Sequence, residues 1–449
     1  MEDTICAIST STGIGAISIV RVTGPNTIDI VDSIFDHDLK NASSHTIHYG
    51  HIKYKEEKID EVLVMLMRGP KTYTTEDTIE INCHGGVSTT KKIMEVLLAN
   101  GCRLAEPGEF TKRAYLNGRI NLLEAESVND LIIAKTDAAR TLAINNVDGK
   151  LTKQISNLRE KIAKILANIE VNIDYPEYTD ELEVTKDLMH GYLDEINKEL
   201  IKLVNGSKNG RIIKNGVNVA IIGKPNVGKS SILNSLLDEE KAIVTNIPGT
   251  TRDIVEGSIT LNGVAINFID TAGIRKTEDI VEKIGVDKSK KTAENADIIL
   301  FVLNNNEAIS EEEKAMLEKY NNDKLIVFVN KMDLERKLII PENIKDIVYG
   351  NTIDINGLEK LKERITEKLN LSNIVNKDMS YLCNLREIDL VNKAYESLKN
   401  AQSNLDAGFS VDMIEIDLKS AWDYLGEIMG DSYEGELVDK IFSNFCLGK

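Results

Sequence analysis

Cysteine is scarce in this sequence and never falls into a metal-binding or redox spacing. The chain has 449 residues and five cysteines, namely Cys6, Cys83, Cys102, Cys383 and Cys446. Their number is odd and no two of them form a C-x-x-C pair. The sequence therefore argues against a disulfide framework and against a zinc site, and it is typical of a reducing compartment.

Long apolar runs and a basic leader are also missing. The longest apolar runs, such as residues 298–303, have about the length of a strand, whereas a membrane-spanning helix needs about 20 apolar residues. The first residues, Met-Glu-Asp-Thr, contain no basic region ahead of an apolar stretch, which a secretory signal would require. We therefore expect a cytoplasmic protein without membrane contact.

Positive charge is in deficit. Lys and Arg number 54 against 72 Asp and Glu, which gives a net charge of −18. This balance argues against a protein that grips nucleic acid by bulk positive charge, although a local basic patch or RNA contact through a basic partner stays possible. With 42% hydrophobic and 28% charged residues, the composition is that of a globular protein. At roughly 150 residues per domain, two to four domains are expected.

Hydrophobic periodicity divides the chain into four parts. Residues 1–118 are predicted to mix strands and helices, with a hairpin at 48–67 and a helix over 87–100 that ends at Gly101. Residues 119–210 and 371–449 have helical periodicity, and 217–370 alternate between strand and helix patterns. Turn-forming residues at 205–216 predict a linker. The order favours a nucleotide-binding domain inserted into one helical domain, with two separate helical domains as the alternative.

Residues 223–230, Gly-Lys-Pro-Asn-Val-Gly-Lys-Ser, match the phosphate-binding pattern G-x4-G-K-[ST]. They follow an apolar run and precede a helical pattern, which is the context that this motif requires. Backbone N–H groups of such a loop surround phosphates at the N-terminus of a helix. Lys229 is expected to contact the β- and γ-phosphates, and Ser230 to ligate Mg²⁺.

Two later motifs point to guanine nucleotides. Asp270-Thr-Ala-Gly273 ends an apolar strand, where the aspartate would hold the Mg²⁺ shell and the glycine N–H would meet the γ-phosphate. In Asn330-Lys-Met-Asp333, the carboxylate of Asp333 can accept two N–H groups that guanine has and adenine lacks. The sequence therefore predicts a GTPase. Its GTP-binding residues are expected to be Asn226, Val227, Gly228, Lys229, Ser230, Ser231, Thr245, Asn246, Ile247, Pro248, Gly249, Thr250, Thr251, Asp270, Thr271, Ala272, Gly273, Asn330, Lys331 and Asp333.

The machinery of hydrolysis departs from a common pattern. Thr251 lies where a switch loop is expected and would be the second Mg²⁺ ligand in the triphosphate state. After Gly273, many GTPases carry a glutamine that orients the attacking water, but this chain has Ile274. Hydrolysis must then use another polar group and another source of positive charge.

Two further blocks make the sequence similar to the tRNA modification GTPase MnmE (TrmE) family. These are residues 106–119, which begin Glu-Pro-Gly-Glu-Phe, and the terminal Phe-Cys-Leu-Gly-Lys at 445–449. The resemblance covers essentially the whole chain. It implies a multidomain fold of α/β and all-α parts: a mixed α+β domain that binds tetrahydrofolate and dimerises, a helical domain, and an inserted Ras-like P-loop GTPase domain.

The resemblance also implies an activity and partners. With a FAD-dependent partner, MnmG (GidA), a homodimer of such a protein would form a heterotetramer. The complex would add an aminomethyl or carboxymethylaminomethyl group at C5 of the wobble uridine of certain tRNAs. A tetrahydrofolate derivative, either 5-formyl or 5,10-methylene, would supply the carbon. The alternative is a ribosome-assembly GTPase with RNA-binding flanking domains, although neither end of this chain is conspicuously basic.

Several site residues follow from the resemblance alone. Asn226, with backbone oxygens of Thr245, Ile247 and Thr250, resembles a K⁺ site that supplies the missing positive charge. Glu282 resembles the glutamate that orients water, with a solvated carboxylate at a helix start as the alternative. Folate would contact Arg21, Glu80, Arg119 and Lys449, for which surface ion pairing is the alternative. Two positions depart from the family: Arg119 stands where a relative has lysine, and residues 351–354 replace a Ser-Ala-Lys-like segment.

Cys446 is the last candidate catalytic residue. Phe442 and Phe445 could dock the tail by burying their rings, and Gly448 would permit a close backbone approach. Lys449 offers a cation that would raise the thiolate fraction of the cysteine. Such a thiolate could add to C6 of uridine and so activate C5, or it could relay a proton. The alternative is a docked tail with an inert thiol.

Overall fold

The computed structural model of this chain describes residues 3–174, 186–239, 257–270, 294–352, 355–376, 379–431 and 435–448. The chain divides into two compact units, each of which is considered by itself. Unit 1 contains residues 1–129, 147–197 and 390–449, and unit 2 contains residues 130–146 and 198–389. Within the described ranges, no helix combines the length and the apolar character that a membrane crossing requires.

Unit 1 is built on a six-stranded mixed sheet with the order β3-β4-β5-β2-β1-β6. Its strands are β1 (Ile5–Ile8), β2 (Ile17–Thr23), β3 (Thr46–Tyr54), β4 (Glu57–Met67), β5 (Thr78–His84) and β6 (Arg103–Leu104). All neighbours are antiparallel except β1 and β6. Alternate residues of these strands share a core with helices α1 (Thr27–Ile34) and α2 (Val87–Ala99). The predicted hairpin and helix are confirmed.

The end of α2 explains why the helix stops at Gly101, as predicted. Gly101 has φ +103°, which is the left-handed conformation that favours glycine. The N–H of Cys102 donates to the carbonyl of Leu97, and that of Gly101 donates to Leu98. This pair of bonds satisfies the last carbonyls of the helix.

Helices then dominate the described residues up to 174 and from 186 to 215. They are α3 (Glu109–Leu116), α4 (Leu122–Ile133), α5 (Asp137–Val147), α6 (Lys150–Asp174) and α7 (Lys186–Asn215). The linker predicted over residues 205–216 is wrong, because α7 runs through it. Gly206 and Gly210 instead allow close packing of α7 against residues 381 and 382. A Cβ on Gly206 would lie 2.8 Å from the ring of Tyr381, and one on Gly210 would lie 2.4 Å from the carbonyl oxygen of Leu382.

Unit 2 holds a second six-stranded sheet, with the order β12-β11-β10-β7-β9-β8. Its strands are β7 (Val217–Ile222), β8 (Gly257–Leu261), β9 (Val264–Asp270), β10 (Ile298–Asn304), β11 (Leu325–Asn330) and β12 (Ile347–Tyr349). All neighbours are parallel except β8 and β9. Those two are joined by Asn262 at φ +48° and Gly263 at φ +81°, which confirms the predicted tight hairpin.

Helices cover both faces of this sheet. They are α8 (Lys229–Glu239), α9 (Glu311–Tyr320), α10 (Ile355–Lys368) and α11 (Leu371–Ile374). Helices α8 and α10 share the core of one face, and α9 that of the other. The strand order reverses between β7 and β10, and ligands of such sheets bind beyond the carboxyl ends of the strands at this point.

The described residues from 379 onward contain the helices α12 (Leu385–Asp406), α13 (Val411–Met429) and α14 (Gly435–Phe442). In unit 1, α13 packs against α6, where the guanidinium of Arg159 lies 4.0 Å from the ring centre of Trp422. The fold class is as expected, with mixed, helical and nucleotide-binding parts. The domain limits drawn from the sequence stay a prediction.

Candidate functional site

The loop after β7 holds the predicted phosphate-binding lysine in place. The side chain of Lys229 is buried, and its ammonium donates to the carbonyl oxygens of Gly223 and Lys224, each at 2.7 Å. Lys229 is also the first residue of α8, so the ammonium lies close to a helix N-terminus. Both features suit the binding of phosphate groups.

The same loop is joined to the predicted base-recognition motif. The amide of Asn330 donates to the carbonyl oxygen of Val227 at 2.8 Å, and the ammonium of Lys331 donates to that of Asn226 at 3.1 Å. Gly228 has φ +104°, and a Cβ there would lie 2.2 Å from the amide nitrogen of Asn330. Only glycine therefore fits at this position, and the two motifs form one site.

Asp333, the residue expected to select guanine, is exposed and has a neighbour from the unusual segment 351–354. The amide of Asn351 donates to a carboxylate oxygen of Asp333 at 2.9 Å. The backbone N–H of Thr352 donates to the side-chain oxygen of Asn330 at 3.3 Å. Asn351 and Thr352 thus support the base motif even though they depart from the family pattern.

The remaining GTP-site predictions are only partly covered by the structure. Ser230 and Ser231 are exposed at the start of α8, and Asp270 ends β9 beside Ile221 of β7. A hydroxyl at the start of α8 suits Mg²⁺, which prefers oxygen ligands, whereas the side chain of Asp270 lies outside the described part of the chain. Of the predicted K⁺ ligands, only Asn226 is described, and it is exposed with φ +65°. Outside the described residues lie Thr245, Asn246, Ile247, Pro248, Gly249, Thr250, Thr251, Thr271, Ala272, Gly273, Glu282 and Lys449.

Two of the predicted folate residues form a pair in unit 1. Arg21 of β2 lies opposite Glu80 of β5, and its Nε and Nη2 atoms are 2.9 Å and 2.7 Å from one carboxylate oxygen. The guanidinium of Arg21 also lies 5.5 Å from the ring centre of Phe110. Both paired side chains keep about one sixth of their surface exposed, 16% and 17% respectively. The pair is thus accessible to a ligand while its geometry is fixed.

Arg119 lies against Tyr73. Its guanidinium is 4.8 Å from the ring centre and donates to the tyrosine's carbonyl oxygen at 3.1 Å. Burial raises the pKa of Tyr73, whereas a hydrogen bond with Thr111 and the charges of Arg119 and Arg21 act in the opposite direction. Arg119 therefore lies directly against the ring of Tyr73.

The C-terminal tail is docked on unit 1. Phe442 and Phe445 are 1% and 9% exposed and share a core with residues of α4. The N–H of Gly108 donates to the carbonyl oxygen of Cys446 at 3.2 Å. Gly108 has φ +70°, and a Cβ on it would lie 2.6 Å from the carbonyl oxygen of Phe442. The tail thus packs directly against Gly108, the glycine of the Pro-Gly-Glu-Phe block. The predicted docking by the two phenylalanines is confirmed.

The end of the tail reaches the predicted folate pair. The carbonyl oxygen of Gly448 accepts hydrogen bonds from Arg21 at 3.1 Å and from the Ser9 hydroxyl at 3.2 Å. Gly448 has φ +84°, and a Cβ would lie 2.5 Å from the carbonyl oxygen of Ile8, which confirms the predicted close approach. The Cys446 side chain is exposed. Activation of its thiol by Lys449 stays a prediction.

A cavity adjoins this contact. It has a volume of about 610 Å³ and is lined by residues 9–15 of the loop before β2, by Ile17 and Ser18 of β2, and by Gly85. Ser9 belongs both to this lining and to the contact with Gly448. We did not predict it from the sequence, although the run Ser-Thr-Ser-Thr-Gly-Ile-Gly at 9–15, which is rich in hydroxyl groups and glycine, was a usable signal.

Known proteins match this chain over its whole length. Residues 4–119 match a family described as the GTP-binding protein TrmE N-terminus, and residues 122–446 match the MnmE helical domain. The tRNA modification GTPase MnmE of Streptococcus thermophilus CNRZ 1066 is 48% identical over 449 residues, which is 100% of this chain and 98% of that protein. Proteins of the same name from Listeria innocua and Staphylococcus aureus Newman are 49% and 47% identical, over 100% of this chain and 99% of each relative.

Proposed function

This chain belongs to the MnmE family of tRNA modification GTPases, and we propose that it is a K⁺-activated GTPase that modifies tRNA together with a FAD-dependent partner, MnmG (GidA). The product is an aminomethyl or carboxymethylaminomethyl group at C5 of the wobble uridine of certain tRNAs. A one-carbon tetrahydrofolate, 5-formyl or 5,10-methylene, supplies the carbon. The protein acts in the cytoplasm as a homodimer formed by its N-terminal domain, within a heterotetramer.

GTP binding is the step with the most support. Lys229 is held at the mouth of the nucleotide loop, Ser230 and Asp270 offer oxygen ligands to Mg²⁺, and Asp333 offers its carboxylate to guanine. Because Asn330 and Lys331 bind the loop through its carbonyl groups, the base and phosphate subsites keep a fixed spacing. Such preorganisation favours binding because fewer groups must be ordered when GTP arrives.

Hydrolysis in our proposal depends on K⁺ and Glu282. Ile274 cannot orient a water molecule, so Glu282 takes that role. A K⁺ ion bound by Asn226 and the backbone oxygens of Thr245, Ile247 and Thr250 supplies positive charge near the phosphates. Thr251 completes the Mg²⁺ shell when GTP is present.

The tRNA-modifying part of the proposal rests on the contact between the C-terminal tail and the Arg21–Glu80 pair. Gly448 accepts a hydrogen bond from Arg21, so the tail that bears Cys446 and the predicted folate residues belong to one region of unit 1. Glu80 can accept N–H groups from the amidine edge of a pterin, and Arg21, Arg119 and Lys449 can meet its carbonyl or glutamate oxygens. Cys446 then acts on the uridine ring, as nucleophile at C6 or as proton relay.

The acidic chain suits a shared binding of tRNA. With a net charge of −18, bulk attraction to phosphate is absent, so the partner is expected to supply most of the RNA contact. The ribosome-assembly alternative gives no use to Cys446 or to the docked tail. The relatives that share the whole chain length also carry the name of a tRNA-modifying enzyme.

Mass spectrometry of wobble nucleosides tests the proposal. A deletion strain should lack the modified uridine, wild-type protein should restore it, and Cys446→Ser should not. GTP hydrolysis and partner binding of the Cys446→Ser protein should stay near wild type. Normal modification in the deletion strain would support ribosome assembly instead, and full restoration by Cys446→Ser would leave the cysteine a packed residue only.

A further inference from the structure

The nucleotide loop has a side-chain anchor that the GTP-binding motif does not include. The ammonium of Lys224, the second residue of the loop, lies 3.0 Å from Oε2 of Glu313 in α9. The carboxylate is 8% exposed and the lysine side chain 35%. Lys224 is one of the unspecified positions of the motif, so the sequence pattern gives it no role.

The Glu313 carboxylate is also held in position by hydrogen bonds at the start of its own helix. It is the third residue of α9 and forms a capping box with Ser310. Its carboxylate accepts from the backbone N–H of Ser310 at 2.9 Å and from the serine hydroxyl at 3.0 Å. A carboxylate with these bonds keeps one rotamer, so Lys224 pairs with a group of defined position.

Lys224 is also directly connected to the phosphate-binding Lys229. Its carbonyl oxygen accepts a hydrogen bond from the ammonium of Lys229 at 2.7 Å. A shift of the Lys224 backbone would therefore move one of the two carbonyl groups that orient Lys229. The other described anchors of the loop, Asn330 and Lys331, hold Val227 and Asn226 farther along.

We propose that Glu313 is a positioning residue for GTP, acting through its ion pair with Lys224 on the carbonyl group that orients Lys229. The ion pair holds the entry of the loop in the form that receives the phosphates. The alternative is that Glu313 only caps α9 and Lys224 is a surface cation, in which case the pair contributes little.

Four variants in an otherwise intact chain separate the two roles. Glu313→Gln keeps an oxygen that can accept from Ser310 but loses the charge, and Lys224→Met loses the charge from the other side. The third variant combines both changes. The fourth, Lys224→Arg, keeps a positive charge at this position. Glu312→Gln is the matched control, because Glu312 lies in the same first turn of α9 and is exposed.

The measurements are the dissociation constant and dissociation rate of a fluorescent GTP analogue with Mg²⁺, and the melting temperature with and without GTP. We expect each single loss of charge to weaken binding by about three- to tenfold, mainly through faster dissociation. The double variant should lose no more than the worse single variant, because both changes remove one interaction. Lys224→Arg and Glu312→Gln should bind like wild type, and the rise in melting temperature caused by GTP should shrink only in the weakened variants.

Three results would overturn the proposal. Wild-type GTP binding by Lys224→Met would show that the pair does not act on the loop. Losses that simply add in the double variant would show that the two residues act independently. An equal fall in melting temperature with and without GTP would identify Glu313 as a helix cap alone.

Discussion

The amide of Asn351 donates a hydrogen bond of 2.9 Å to the carboxylate of Asp333. The bond restricts rotation of the carboxylate without neutralising it, and each carboxylate oxygen has a second lone pair for a further donor. Asp333 is therefore presented to a ligand as a charged, oriented acceptor. That is what discrimination by two N–H groups of guanine requires, since a misplaced acceptor would leave a polar group unpaired.

Asp333→Asn should weaken GTP binding and improve binding of the xanthosine nucleotide. The new amide can donate where xanthine has a carbonyl group and guanine has an amine. Loss of a charge-assisted hydrogen bond costs about 1.5–3 kcal/mol, which corresponds to about 10- to 150-fold in affinity. Titration with both nucleotides measures the change. Asn351→Ala is the control: it should weaken GTP binding less and keep the preference for guanine. Unchanged GTP affinity of Asp333→Asn would remove Asp333 from the site.

GTP turnover should be faster in K⁺ than in Na⁺ at equal ionic strength. Na⁺ is smaller, so a cage of oxygens sized for K⁺ leaves some ligands out of reach. K⁺ should also promote association of two GTPase domains. Asn226→Ala should abolish the difference between the salts yet still bind GTP through Lys229 and the loop amides. Steady-state phosphate release in the two salts measures this, and equal rates for the wild-type protein would refute the K⁺ site.

Glu282→Ala should slow hydrolysis without weakening nucleotide binding. A group that orients water acts mainly in the transition state, so its loss lowers kcat and leaves the affinity for GTP unchanged. Single-turnover hydrolysis and an independent binding measurement separate the two effects. A large loss of affinity with an unchanged chemical step would instead assign Glu282 a structural role.

Local patterns allowed much of this molecule to be predicted. The phosphate loop, the hairpin at Asn262-Gly263 and the end of α2 at Gly101 each depend on residues that are close in sequence. The linker prediction failed because Gly206 and Gly210 were interpreted as turn formers, whereas they are small so that Tyr381 and Leu382 can pack against α7. No local pattern reports a contact with residues more than a hundred positions away.

The candidate site shows the same limit. Asp333 was predicted from its motif and Arg21 from the family resemblance, but their contacts with Asn351 and Gly448 follow from the fold alone. Lys224 occupies a variable position of a known motif, and Glu313 carries a capping signature that accounts for it without the loop. Such pairs become visible only when α9 and the nucleotide loop are placed in space.

Glu109 should contribute stability that disappears in acid. Burial by itself raises the pKa of this carboxyl group, but hydrogen bonds from Arg103, from the Glu106 N–H and from Arg113 outweigh it, so the pKa lies below its usual 4.5. A lowered pKa stabilises the fold at pH values above the unfolded pKa, and the contribution is lost as the pH falls through the folded pKa.

Glu109→Gln should therefore reduce the free energy of unfolding at pH 7 by about 2–3 kcal/mol, because the fully buried Arg113 loses one of its carboxylate partners. The difference from wild type should shrink as the pH falls below about 4.5. Denaturant unfolding at several pH values measures it. Glu106→Gln, an exposed change in the same block, should have little effect at any of these pH values. A deficit of Glu109→Gln that does not depend on pH would mean that packing rather than charge is responsible.

The contact between Gly108 and the C-terminal tail gives the last prediction. Gly108 and Gly118 have nearly the same backbone angle, φ +70° and φ +72°, but a Cβ meets Phe442 and Phe445 at the first position and nothing within 4 Å at the second. Alanine at either position carries the same backbone strain of about 1 kcal/mol, so any further difference reports the tail contact. Gly108→Ala should displace the tail and abolish wobble-uridine modification while GTP hydrolysis continues, whereas Gly118→Ala should modify tRNA nearly as well as wild type. Nucleoside mass spectrometry measures modification, and alkylation of Cys446 followed by peptide mass spectrometry checks whether the environment of the thiol has changed. If Gly108→Ala modified tRNA normally, the docked tail would be irrelevant to the reaction, and the hydrogen bond from Arg21 to Gly448 would be a structural contact only.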